Sequence, residues 1–213
     1  MEIRYISDMH FGHKNILDYD NRPFRDIAHM EEELIARWNA VVKPGDHTYI
    51  LGDFCWGKES HWLELLPKLN GQKTLIRGNH DIDPQKSRKL FADVKEYKVI
   101  EDNGRKVVLC HYPIPCFRNH YYGWFHVYGH VHTSYEWGMM ERTKYLQEEL
   151  YSIPCHMYNA GAMLPYMDYT PKTLDEIIAG YAQWKGQINE QEEKEGPIQL
   201  GTGPKHTSRL ERN

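Results

Sequence analysis

The chain has 213 residues, 40% of them hydrophobic and 26% charged, with a formal net charge of -4. That length suits one domain with a substantial core, and the composition is that of a globular protein without an apolar run long enough to span a membrane. The mild acidity argues against broad contact with nucleic-acid backbone, and the opening MEIRYISDMH lacks the basic-then-apolar pattern of a secretory signal, so a cytoplasmic protein is expected.

EIRYIS reads as a first strand and runs into Asp8-Met9-His10. Ile27, Met30, Leu34, Trp38 and Val41 recur at helical spacing, which predicts an amphipathic helix over about residues 26 to 42, closed by the Lys43-Pro44-Gly45-Asp46 turn. HTYIL is a second strand leading straight to Gly52-Asp53. Ser60 is placed to cap a helix carrying Trp62, Leu65, Leu66 and Leu69, with Pro67 kinking or shortening it. KTLI is a third strand, delivering Gly78-Asn79-His80-Asp81. There Gly78 is expected to turn the backbone sharply, so that Asn79 and His80 project into one place.

Asp83-Pro84 predicts an N-cap and first helical position, hence a short helix. KEYKVIED and RKVVLCH flank Asn103-Gly104 as a hairpin with a type I′ turn, the second arm ending at His111. WFHVY is another strand and ends in Gly129-His130-Val131-His132. From Ser134 to Ser152 the chain is polar, with a helix expected near Arg142 to Leu150. IPCHMYNAG is a late strand, and Thr173-Leu174-Asp175-Glu176 is a capping-box sequence opening a helix through roughly Trp184. Residues 1–184 thus read as one domain and residues 185–213 as a polar, loosely held tail.

Cys55, Cys110, Cys116 and Cys155 lack C-x-x-C spacing and read as reduced core thiols. The 13 histidines carry more information, since imidazole is the commonest metal ligand and acid–base group. Asp8, His10, Asp53, Asn79, His80, His111, His130 and His132 all follow apolar runs. In an open α/β sheet the carboxyl ends of neighbouring strands converge, so five chain segments would bring these residues to one edge. Residues two apart in an extended segment point the same way, so Asp8 with His10, and His130 with His132, are each expected to approach a common ion. Carboxylate, imidazole and one amide, without thiolate, suit Mn²⁺, Fe or Zn²⁺ better than a structural zinc site. The ligands exceed what one ion takes, and Asp53, placed centrally, is the natural bridge between two.

The order D-x-H, G-D, G-N-H-D, H and G-H-x-H resembles the calcineurin-like metallophosphoesterases, and SDMHFGHKNI is similar to a small bacterial and phage branch of them. The resemblance spans residues 7 to 132. It implies a four-layer α/β/β/α sandwich with two facing β-sheets and a dinuclear centre. Carried over residue by residue, Asp8, His10 and His132 would bind one ion, Asn79, His111 and His130 the other, and Asp53 both. His80 would be the acid–base residue and Asp81 would orient it.

The expected activity is hydrolysis of phosphate monoesters or diesters of a small molecule or nucleotide, with a nucleic-acid end less favoured. Two divalent ions, Mn²⁺ foremost, would acidify a water from a pKa of about 15.7 towards 7, and the resulting hydroxide would attack phosphorus. The alternative is a non-catalytic interaction scaffold of the same fold, which loss of His80 or of several ligands would favour. An amidohydrolase barrel would place its H-x-H early; here D-x-H comes first.

Outside these motifs, His13 and Lys14 would face either substrate or solvent. Arg77 would hold a phosphate oxygen or, more in keeping with a strand residue, point away. Arg118 to Tyr122 form a polar-aromatic loop suited to substrate selection or to packing on itself. His29, His47, His61, His126 and His156 receive no site role.

Overall fold

The computed structural model describes the backbone of residues 1–195 and the side chains of residues 1–187. Strands β1 (Ile3–Ile6), β2 (His47–Ile50), β3 (Gln72–Ile76) and β4 (Asp93–Lys95) form one parallel sheet in that order. Strands β5 (Tyr97–Asp102), β6 (Arg105–Cys110), β7 (Phe125–Tyr128) and β8 (Met157–Asn159) form a second. In it β5 and β6 are an antiparallel hairpin and the remaining pairs are parallel. Asn103 and Gly104 have φ of 49° and 78°, the two left-handed residues that a type I′ turn requires. KEYKVIED divides between the sheets: Lys95 ends β4, Glu96 alone makes the crossing, and Tyr97 opens β5.

In β1, β2 and β7 three of four residues are buried in succession, so both faces of these strands are covered. Continuous burial, rather than alternation, marks parallel strands lying between another sheet and helices. That gives the expected four-layer sandwich. The sheets also meet edge to edge near the start of the chain. Ser7 N donates to Ala160 O (2.8 Å) and Ala162 N donates to Ser7 O (2.9 Å) just after β8, while Tyr5 Oη reaches β5 at the far side of the second sheet and donates to buried Asp102 (2.8 Å).

Helices α1 (Ile16–Tyr19), α2 (Ile27–Val41), α3 (Glu59–Leu65), α4 (Tyr135–Tyr145) and α5 (Leu174–Glu195) complete the elements used below. In α2 the predicted period is real: Met30, Leu34 and Trp38 are buried, and Asp26 caps the helix by accepting from His29 N. The capping box of α5 also forms, with Thr173 Oγ1 accepting from Glu176 N and Glu176 Oε2 from Thr173 N. That helix runs on to Glu195, beyond the expected end at Trp184; the rest of the expected tail lies outside the described residues.

Three local expectations fail. Ser60 does not cap α3, which already starts at Glu59. No helix opens at Asp83-Pro84; a 3₁₀ turn at Ser87–Leu90 follows instead, tied down by Glu59 Oε1, which accepts from Gln85 N, Ser87 N and Ser87 Oγ. The helix expected near Arg142 begins at Tyr135, capped by Ser134, and passes into a π turn over Leu146–Leu150.

Candidate metal centre

The carboxyl ends of β1, β2, β3, β6 and β7 point to one edge of the sandwich, and the loops leaving them carry every predicted ligand. Asp8, His10 and His132 each offer an atom within 4.8 Å of the others, and so do Asp8, Asp53 and His111. Asp53 stands between the two sides: Oδ2 is 3.7 Å from His10 Nε2 and Oδ1 is 3.6 Å from His111 Nε2. Asn79 Oδ1 lies 3.0 Å from His111 Nε2. His130 sits beside the set, its ring 5.0 Å from that of His111, and its backbone N–H donates to both oxygens of Asp8 at 3.1 Å.

These ligands are not held in extended chain. Asp8, His10, Asp53, His130 and His132 all have left-handed backbone, with φ of 55°, 53°, 49°, 73° and 46°. Each residue after its strand therefore curls back, and D-x-H and H-x-H converge through turns rather than through strand alternation. Such conformations cost of order 1–3 kcal/mol each, less for Asp and His than for bulkier residues, and persist only where surroundings over-determine them.

Asp81 supplies much of that determination. It was expected to orient His80, but both of its oxygens are taken by backbone: Oδ2 accepts from Asp53 N and Gly78 N, and Oδ1 from Phe54 N, at 2.8 to 2.9 Å. Burial pushes its carboxyl up to about 6 while the Gly78 and Phe54 N–H groups resist. Asp53 Oδ1 in turn accepts from His80 N at 3.0 Å. The turns after β2 and β3 are thus cross-clamped, and the Asp81 carboxylate serves the backbone around Asp53 rather than the His80 ring.

Gly78 also has a different reason from the one expected. A Cβ there would lie 2.2 Å from Asp53 Oδ1 and 2.6 Å from Asp53 N. Closeness to Asp53, not a positive φ, demands glycine.

Two imidazoles have their tautomers set from behind. His111 Nδ1 donates to Leu51 O at 2.8 Å, which turns the Nε2 lone pair inward. His132 Nδ1 lies 2.7 Å from Asp20 Oδ1, and Arg22 donates to Asp20 Oδ2 from Nε and Nη2 at 3.0 and 2.8 Å. Arg22 also donates to Asp8 O and Met9 O at 2.8 Å each, pinning the first ligand loop. Neither Asp20 nor Arg22 stands out in the sequence DYDNRPF; their alternation two apart, just after D-x-H, is the sole cue.

The electrostatics suit a cation. Burial, and then the neighbouring Asp8, push Asp53 above its ordinary value, since two close buried carboxylates resist joint ionisation. Burial, followed by His132, lowers His10 well below its usual range. His10 Nε2 and His132 Nε2 face each other at 3.2 Å. Burial lowers His132, but the Asp20 hydrogen bond and Asp8 outweigh it and raise the group overall. Oxygen and nitrogen donors turned inward around like charges that only a cation relieves make this set fit divalent ions.

His80 is exposed at the lip of the site, its ring 5.8 Å from that of His10 and 5.0 Å from that of Trp56. His13 stacks on Trp56 at 4.3 Å, inside the same cleft and not in open solvent. Arg77 pairs with Glu96 and with Asp83 (3.5 Å) at the border of a second cleft that Asn79 also lines. The Arg118 loop packs on itself, with Arg118 over the Trp124 ring and His120 against Tyr121 at 3.9 Å. His126 is a buried core group: its Nδ1 is 3.0 Å from Val108 O and its Nε2 accepts from Ile114 N. The four cysteines are free.

A cluster of Asp and His side chains able to hold metal at the strand ends of a two-sheet sandwich defines a metal-dependent phosphoesterase. The chain belongs to the calcineurin-like phosphoesterase family, whose pattern matches residues 1–163. Members of that family bind two divalent metals. An uncharacterized protein of Methanocaldococcus jannaschii is 34% identical over 179 residues, covering 83% of this chain and 89% of that one. The gene 66 protein of Mycobacterium phage L5 is 35% identical over 80 residues, 36% of this chain and 38% of its own. A solved protein of unknown function from Aquifex aeolicus superposes with a TM-score of 0.63 at 28% identity, covering 84% of this chain and 98% of its own. No helix among the described residues is long and apolar enough to cross a membrane.

Proposed function

We propose that the protein hydrolyses phosphate esters at a dinuclear centre held by Asp8, His10, Asp53, Asn79, His111, His130 and His132, with Asp53 as the shared ligand. The observation that supports this most is the position of Asp53, 3.7 Å from His10 on one side and 3.6 Å from His111 on the other. Mn²⁺ suits the oxygen and nitrogen donors best, with Fe or Zn²⁺ as alternatives. Bound there, the ions would neutralise phosphoryl charge and lower the pKa of an attacking water.

The chain's own groups do the rest. His111 and His132 present fixed lone pairs, Asn79 presents a neutral oxygen, and Asp81 with Arg22 holds the loops against their left-handed strain. His80, at the open lip, protonates the departing oxygen. The substrate is a small phosphorylated molecule or nucleotide. Residues 1–184 form the catalytic domain, and four free cysteines are compatible with the cytoplasm. Chelation should abolish hydrolysis of an aryl phosphate ester and Mn²⁺ should restore it; full activity in protein shown by metal analysis to be metal-free would refute the reading.

A further inference from the structure

We propose that this centre serves small phosphodiesters: a single phosphate joining two uncharged substituents, at least one of them planar and aromatic, as in a dinucleoside monophosphate. The proposal rests on the phosphoesterase reading of the same site and goes on to fix its substrate class.

Two clefts flank the ligands. The first, of about 680 Å³, is bordered by His10, His80 and His132 and has an aromatic wall made by His13, Tyr19 and Trp56. Trp56 and Tyr19 are 41% and 56% exposed, so both keep ring surface available. The second, of about 590 Å³, is bordered by Arg77, Asn79, Tyr97 and Tyr112, with the two tyrosines 44% and 45% exposed. Both volumes lie in the range of small-ligand pockets.

The clefts meet at the metal ligands. Asn79 lines one and its neighbour His80 the other; Tyr112 lines one and packs at 4.7 Å on His130, which lines the other. A phosphoryl group seated between them directs its ester oxygens both ways. A monoester would fill one cleft and leave the other to water, whereas a diester fills both.

Charge limits how many phosphates the substrate carries. Among the described residues no Lys or Arg lines the first cleft, and Glu136 does. In the second, Arg77 is the one basic lining residue, and it already pairs with Glu96 and Asp83. Strand-binding grooves track successive phosphates with a row of basic side chains, and a single arginine among the described lining residues is no such row. Exposed rings remain to hold the substituents, and stacking on them tolerates any planar group.

In the reaction one P–O ester bond breaks and one P–O bond to water oxygen forms. His80 gives its proton to the departing alkoxide and recovers one from the water. The products are an alcohol and a monoester that is not cleaved further.

The test uses the full chain loaded with Mn²⁺ and compares thymidylyl-thymidine with thymidine monophosphate, whose leaving groups are both alkoxides. A kcat/KM at least about tenfold higher for the diester is expected, the worth of one added stacked base. Bis(p-nitrophenyl) phosphate should release one nitrophenolate per molecule and accumulate p-nitrophenyl phosphate. Release of both, or equal turnover of the nucleotide monoester, would overturn the proposal. So would a long thymidine oligonucleotide cleaved faster per bond than the dinucleotide, which would require contacts to further phosphates. Trp56→Ala and Tyr97→Ala, both exposed changes, should each lower the dinucleotide kcat/KM about fivefold or more; wild-type values in both would refute the aromatic walls. No turnover of any ester would instead bring down the phosphoesterase reading itself.

Discussion

His80 and Asp20 act on opposite sides of the ligand set, and their removal should have opposite signatures. His80 lies at the lip with its ring clear of the cluster, so His80→Ala should keep its metals. The rate loss should approach about 10²–10⁴-fold for an alkyl ester and be much smaller for a nitrophenyl ester, whose leaving group is already a stable anion. Equal losses for the two, measured on protein of unchanged metal content, would make His80 a phosphate-binding group. Asp20 lines the same cleft, with its Oδ1 2.7 Å from His132 Nδ1, the ring nitrogen opposite the one that faces His10. Asp20→Asn keeps the shape but removes the charge that makes the imidazole a stronger donor. Affinity for Mn²⁺, measured by calorimetric titration, should fall about tenfold, the lower end for outer partners of ligating histidines. An unaltered affinity would show that Arg22 and the loop suffice without it.

At the scale of elements, the site is a set of turns locked to one another, and Gly78 is where the lock is tightest. Gly78→Ala would put a methyl group into Asp53 from both the Oδ1 and N sides. Overpacking of a closed region costs about 1–3 kcal/mol, and here the displaced group is the Asp53 carboxylate, the proposed shared ligand. The variant should therefore lose stability in denaturant unfolding and also bind less metal; a stable variant with full metal content would mean the turn after β3 is looser than its hydrogen bonds imply. That these residues gather at one edge was legible in the sequence because each follows an apolar run, and strand ends are readable from hydrophobicity; their assignment to ions came from the family resemblance. The directions of the side chains were not legible. Asp81 adjoins His80, yet serves the turn after β2, a tertiary fact with no trace in spacing. The start of α4 was hidden for another reason: Trp137 and Lys144 are its buried residues, and a buried lysine donating to Met157 O does not read as a core position. Arg22, buried and bonded to two carbonyls, is the same kind of exception.

Taken as a whole, the molecule divides its ligands between its two sheets. The first contributes Asp8, His10, Asp53 and Asn79; the second contributes His111, His130 and His132. Covalently the halves are joined through Glu96, and non-covalently through their shared buried core, the Tyr5–Asp102 hydrogen bond and the contacts of Ser7 with Ala160 and Ala162. The partners His10 and His132 are 122 positions apart in the chain. Loops that long close late, because their entropy must be spent before any contact rewards it. Nor do ions have a formed pocket to occupy until both sheets have docked.

Ions bound at such a site would arrive at an almost finished protein. They would seal it rather than nucleate it, and their effect should fall on the escape rate from the native state. In stopped-flow chevrons recorded with and without Mn²⁺, the refolding limb should nearly superimpose while the unfolding limb drops. Faster refolding by the same factor would mean that the metals gather the chain from the outset.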